Sequence, residues 1–132
     1  MFAAALPAPG GTRFRSHAVE DSTVTVLAGL FLIAHGLIHV AIWMPEPKAD
    51  APFDPGRSWL FGEARGIARA LAAVTAALFG AAGILVMLGA GSAAGLAVVG
   101  AMASLALVLL TFHPWLLGAV AIDVAIAVIA LK

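Results

Sequence analysis

Four apolar runs, each about as long as a bilayer crossing, constrain this chain more than any other feature. They cover residues 24–44, 66–89, 91–112 and 114–131. The 21 residues of the first run span about 30 Å as a helix, which is the thickness of a hydrocarbon core. Apolar residues make up 63% of the 132 residues and charged residues 11%, against about 45–50% and about 25% in soluble chains. So short a chain cannot hide that much apolar surface inside itself. The predicted fold class is therefore all-α: a polytopic membrane protein, a four-transmembrane-helix bundle with the lipid bilayer as its solvent.

The polar segments divide these runs. Residues 1–22 are rich in Ala, Pro and Gly. Arg13 and Arg15 follow the short apolar piece there, which is the reverse of a secretion signal, so a mobile N-terminal tail is expected. Ser22 is the expected N-cap of the first span, with Asp21 beside the positive helix end. Pro45 and Pro47 stop that span, and Trp43 sits near its end as an expected interfacial anchor. The loop over 45–65 holds four of the seven prolines, with a turn signal at Asp54–Pro55–Gly56. Residues 57–62, Arg-Ser-Trp-Leu-Phe-Gly, read as a short interfacial helix anchored by Trp59 and Phe61. Gly89 to Gly91 reads as a tight hairpin between the second and third spans, and Pro114 suits the first turn of the fourth.

Composition also excludes functions. The formal net charge is zero, so no basic field attracts nucleic acid. Cysteine is absent, which removes disulfides, thiol catalysis and Cys-based metal sites. No serine has the context of a nucleophile turn, and Gly62-Glu-Ala-Arg-Gly66 lacks the Lys-Ser/Thr of a phosphate loop. An enzyme is not the expected reading.

Small residues recur at four-residue spacing, at Ala73, Ala77 and Ala81 in the second run and at Gly91/Gly95 and Gly100/Ser104 in the third. Such stripes allow close helix contact in lipid, within a compact bundle or toward a homo-oligomer or larger membrane complex. Four spans put both termini on one side. Arg13, Arg15 and Lys132 stand there, against Lys48, Arg57, Arg65 and Arg69 on the loop side, so the positive-inside rule does not orient the chain.

Ionisable residues inside a span are functional candidates because their placement is costly. Here they are His35, His39, Arg69 and Asp123, with His113 at a helix edge. His35 is nine residues from the loop end of its span at Met44, and Asp123 is nine residues beyond Pro114. Both therefore lie about 13–14 Å below the loop side, and His39 about 7–8 Å below. His35 and His39, four apart, share a helix face. Asp123 is the expected partner of an imidazole at its own level. These groups gather in the loop-side half, and Thr25 and Ser104 read as mild exceptions on the other. The arrangement predicts a polar pocket of His35, His39 and Asp123 opening toward the Pro-rich loop, with Arg69, His113, Trp59 and Trp115 at its rim.

Several occupants fit these side chains. His-x-x-x-His on a helix, with an aspartate, offers mixed N and O ligands to zinc, iron, copper or manganese, although Gly36 replaces the glutamate of a metalloprotease helix. A histidine beside a glycine admits a haem or chlorophyll-type tetrapyrrole, without a second axial histidine at matching depth. His and Asp at one depth also fit a proton relay or a proton-linked small-molecule site. The structural reading is a His–Asp bond that pins two helices together. The expected function is thus a small integral membrane protein whose intramembrane His/His/Asp pocket binds a metal ion, a tetrapyrrole or a proton-linked small molecule. The alternative is a non-catalytic accessory subunit of a larger membrane complex.

"AHGLIHVAIW" in the first run, "FGEARGIARALA" at the start of the second and an acidic residue midway along the last resemble a loose group of small bacterial four-helix membrane proteins. That group carries His-Gly-x-x-His in helix one and a Gly-x-x-Arg-Gly/Leu start to helix two. The resemblance implies four helices and a bacterial inner (cytoplasmic) membrane, and it transfers no chemistry.

Overall fold

The computed structural model describes residues 11–48 and 50–132. Four helices dominate: α1 (Gly11–Trp43), α2 (Arg65–Met87), α3 (Ala93–Leu110) and α4 (Leu117–Ala130). A 3-10 turn, Pro114–Leu116, leads into α4. Two short strands, β1 (Arg57–Ser58) and β2 (Gly62–Glu63), pair antiparallel in the loop after α1. Three helical segments, Glu20–Trp43, Arg65–Met87 and Ala93–Leu110, are long and apolar enough to cross a membrane. The fourth apolar segment, Pro114–Ala130, is shorter.

Helix α1 begins at Gly11, well ahead of Ser22. Residues 11–22, read above as part of the tail, are thus helical and continuous with the first apolar run; residues 1–10 of the expected tail lie outside the described residues. The Thr25 hydroxyl donates to the Asp21 carbonyl oxygen at 2.8 Å, a bond inside a continuing helix.

Consecutive helices pack as neighbours, α1 on α2, α2 on α3 and α3 on α4. The closest approach joins α1 to α2 at two glycines. A Cβ added at Gly29 would stand 2.6 Å from the Gly83 carbonyl oxygen, and one added at Gly83 would run into the Gly29 carbonyl oxygen. Gly36 likewise lies against the Phe79 Cβ and the Ala76 backbone. Ala73, Ala77 and Ala81 instead face outward, as do Gly91 and Gly95, while Gly100 and Ser104 face in. Four-residue spacing alone does not say which of several small-residue stripes meets a neighbour.

Helix α2 ends in a Schellman motif. Gly89 takes φ +67°, its N–H donates to the Val86 carbonyl, and the Ala90 N–H donates to that of Leu85. Only glycine adopts this left-handed turn at no steric cost, so the expected hairpin between α2 and α3 is present. Residues 57–62 form a hairpin in place of the expected interfacial helix. The Asp54 carboxylate accepts from the Gly56 N–H at 2.9 Å, the Ser58 hydroxyl accepts from the Leu60 N–H at 3.1 Å, and Gly62 turns at φ +76°. Local side-chain bonds of this kind compete with helix.

Candidate functional site

Phe79 is the wedge around which the site forms. It is fully buried, and its neighbours Gly36 on α1 and Gly100 on α3 leave it room. Its ring centroid lies 5.0 Å from that of His35 and 6.2 Å from that of His39. The two imidazoles are thus pressed between α1 and the interior, away from the outer surface.

The polar atoms then close on one another. His35 Nε2 donates to Asp123 Oδ1 at 2.9 Å. Asp123 Oδ2 accepts from the Ser104 hydroxyl at 2.5 Å. Ser104 Oγ lies 2.7 Å from His39 Nε2, and His39 Nδ1 donates to the His35 carbonyl oxygen at 3.0 Å. The network joins α1, α3 and α4, and its members are 4% (His35), 2% (His39), 0% (Ser104) and 0% (Asp123) exposed. The pairing of His35 with Asp123 is the one that depth along the helices suggests.

Ser104 is the member that sequence reasoning misplaced. It stands eight residues before Phe112, the loop end of its run, and so about 12 Å below the loop side, level with the histidines and Asp123. The depth argument that paired His35 with Asp123 locates Ser104 as well. Phe79 carried no such signal, since an aromatic in an apolar helix is ordinary core.

Toward the loop, the rings continue. His39 stacks on Trp43 at 5.6 Å, Trp43 meets Phe53 at 6.4 Å, Phe53 meets His113 at 5.3 Å and His113 meets Trp115 at 5.4 Å. Trp43 is 3% exposed and donates its indole N–H to Thr111 Oγ1 at 3.1 Å. It is an interior residue and not the expected interfacial anchor, because Thr111 offers its N–H a partner inside the bundle. Trp59 and Trp115 are the exposed indoles, at 67% and 72%. His113 Nδ1 accepts from the Trp115 backbone N–H at 3.3 Å and so caps the 3-10 turn. Arg69 reaches up to the loop, donating to the Met44 carbonyl oxygen at 2.8 Å and to Glu46 at 2.6 Å. Arg65 donates to the same carboxylate at 2.8 Å. The Arg69 hydrogen bond, then the charges of Arg69 and Arg65, hold the Glu46 carboxyl below the usual glutamate range.

The network is not the wall of an open polar pocket. A cleft of about 280 Å³ at the loop end is lined by Phe53, Asp54, Arg57, Trp59 and His113, among others. A larger groove of about 470 Å³ lies at the opposite end, lined by apolar residues including Phe31, Leu32, Ala97, Ile126 and Ile129. Its inner wall meets the network from below: the Phe31 ring stacks on His35 at 6.0 Å. The expected opening toward the Pro-rich loop is closed by the ring ladder from His39 to His113.

Among the described residues, no group of three or more His, Asp and Glu side chains is placed to hold a metal ion. His39 directs both ring nitrogens, and Asp123 both oxygens, to partners within the protein. Comparison with protein-family models, curated proteins and solved structures gives no match for this chain. The chemistry of the site therefore rests on its own geometry: an apolar helical bundle with a buried network of two imidazoles, one hydroxyl and one carboxyl.

Proposed function

We propose that this chain is a four-span integral membrane protein of a bacterial inner membrane, with α4 as the short fourth span, and that it binds a small lipophilic molecule in a proton-linked manner at the His35–Asp123 network. One observation carries the reading: within a mainly apolar bundle, four titratable or hydroxylic side chains bind one another with almost no exposure. Such groups are expensive within a membrane and mark proton and substrate paths there. The outer faces support the lipid environment. Leu27, Leu37, Ile67, Met102, Leu109 and Ile129 are each more than half exposed, which water penalises and acyl chains do not. The apolar groove offers a lipophilic molecule a seat against Phe31, whose ring stacks on His35 at 6.0 Å.

The test is extraction into lipid nanodiscs from native membrane, followed by mass spectrometry, metal analysis and an absorption spectrum. The reading expects a non-lipid small molecule with the wild-type protein and its loss from His35→Leu and from Ala97→Phe, which fills the groove. A wild-type protein carrying only bulk lipid, in the same proportions as the variants, refutes it. A stoichiometric metal or a visible band would transfer the site to metal or tetrapyrrole binding.

The outward face of α2 favours a second reading, an accessory subunit or homo-oligomer. Ala73, Ala77 and Ala81 remain exposed after the bundle has packed, at the spacing by which membrane helices approach closely. Ala77→Phe then lowers the mass of the species seen in mild detergent. A monomer in both proteins removes this reading.

A further inference from the structure

We infer that His39, Ser104 and Asp123 together bind one exchangeable proton, shared along the line Nε2–Oγ–Oδ2. His39 Nδ1 faces the His35 carbonyl oxygen at 3.0 Å. A carbonyl only accepts, so Nδ1 carries a hydrogen. The remaining nitrogen, Nε2, is 2.7 Å from Ser104 Oγ, and that oxygen is 2.5 Å from Asp123 Oδ2. Each contact is a hydrogen-bond distance and each needs a hydrogen between its heavy atoms. Ser104 has one hydrogen to give. The second must sit on Nε2, making His39 an imidazolium, or on Oδ2, making Asp123 a carboxylic acid.

Both arrangements hold one proton more than a neutral imidazole beside a carboxylate. Both leave the triad with zero net charge, which suits a site with no exposure to water. They interconvert by moving two hydrogens: Nε2 gives its hydrogen to Oγ and keeps the bonding pair, while Oγ gives its own to a lone pair of Oδ2. No other reactant is needed. Removing the shared proton leaves one contact with facing lone pairs and a buried, uncompensated carboxylate.

The titratable groups around His39 are His35, its ring 5.2 Å away, and Asp123, reached through Ser104. From α1, His35 Nε2–H donates to Asp123 Oδ1 in either arrangement, and the Trp43 ring stacks on His39 at 5.6 Å, within reach of a cation–π contact. From α2 comes the Phe79 ring, which carries no charge. Arg69 is committed to Glu46 and the Met44 carbonyl oxygen. The 2.5 Å contact between Ser104 Oγ and Asp123 Oδ2 is a short O–H···O bond in either arrangement.

The experiment is nitrogen-15 NMR of histidine-labelled protein in nanodiscs, with the carboxyl C=O infrared band recorded alongside, from about pH 5 to about pH 8, the range in which a free imidazole titrates. Wild type is expected to keep the shared proton throughout, on His39 Nε2 or as a protonated-carboxyl band that Asp123→Asn removes. The protonated fraction of a free imidazole falls about thirtyfold over that range. In Asp123→Asn, the amide donates to Oγ, Oγ donates to Nε2, and His39 becomes a neutral Nδ1–H imidazole. In Ser104→Ala, the bridge is gone and the proton is lost within the same range. A singly protonated His39 together with an ionised Asp123 at about pH 8 in wild type overturns the inference, whether or not the variants fold. Failure to find a bound small molecule leaves this result untouched, so the two proposals fail separately.

Discussion

Gly29→Ala tests the helix crossing on which the site rests. The added methyl carbon would lie 2.6 Å from the Gly83 carbonyl oxygen and 2.5 Å from Met87 Cγ. Met87 can turn aside, but the carbonyl belongs to the backbone of α2. Carbon contacts are comfortable only from about 3.5 Å, so α1 and α2 must part by about 1 Å at this level. Overpacking of this kind costs about 1–3 kcal/mol. The matched control is Gly80→Ala, on the same helix pair, whose Cβ would meet nothing within 4 Å. Alanine gains about 0.5–1 kcal/mol over glycine in any helix interior, and that gain is common to both variants. The difference between them is therefore about 1–3 kcal/mol, or about fivefold to about 150-fold in the folding equilibrium. Denaturing-detergent titration in mixed micelles, followed by far-ultraviolet circular dichroism, reads it directly. Equal midpoints for the two variants would refute the proposed glycine-to-glycine approach and with it the position of His35 and His39 relative to α2.

The other predictions concern single polar groups. Thr75 is fully buried, and among the described residues its hydroxyl has no hydrogen-bond partner; Thr75→Val should therefore leave the titration midpoint unchanged or raise it, by up to about 1 kcal/mol, and a clear loss would mean that the hydroxyl is bonded. Thr111→Val strands the indole N–H of Trp43 and should cost about 1–3 kcal/mol, with a shift in tryptophan emission that Trp59 and Trp115 do not explain. Glu46 has a carboxyl pKa lowered in the folded protein by Arg69 and Arg65, so its contribution is present above the ordinary glutamate pKa and is lost as pH falls through the lowered value. The protection of the Met44, Glu46 and Lys48 amides, taken against the intrinsic exchange rate at each pH, should fall on acidification or in high salt, and Glu46→Gln should abolish that pH dependence; an unchanged profile would remove the ion pairs from the account of the loop.

Membrane-like helices were legible in the sequence because the signal is one of amount. Long uncharged runs must become helices wherever water is absent, since each backbone group must find its partner within the segment. The level of a residue along a helix is equally legible, because rise per residue is fixed. That is why His35 and Asp123 matched, and why Ser104 belongs with them. The stops at Pro45 and the Gly89 turn follow from local backbone chemistry alone. What the tertiary structure decided is direction about each helix axis. Ala-rich runs carry apolar residues all round, so their periodicity does not say whether Ala73–Ala77–Ala81 or Ala76–Gly83 meets α1. Only packing chose the second, by the close approach that Gly29 and Gly83 permit. The same choice turned Trp43 inward to Thr111 and closed the ring ladder over the histidines. It also brought Ser104 between His39 and Asp123, where two contacts need two hydrogens and the hydroxyl supplies one. Chain order specifies which groups share a depth; rotation of the helices specifies which of them touch, and a proton is held only where they touch.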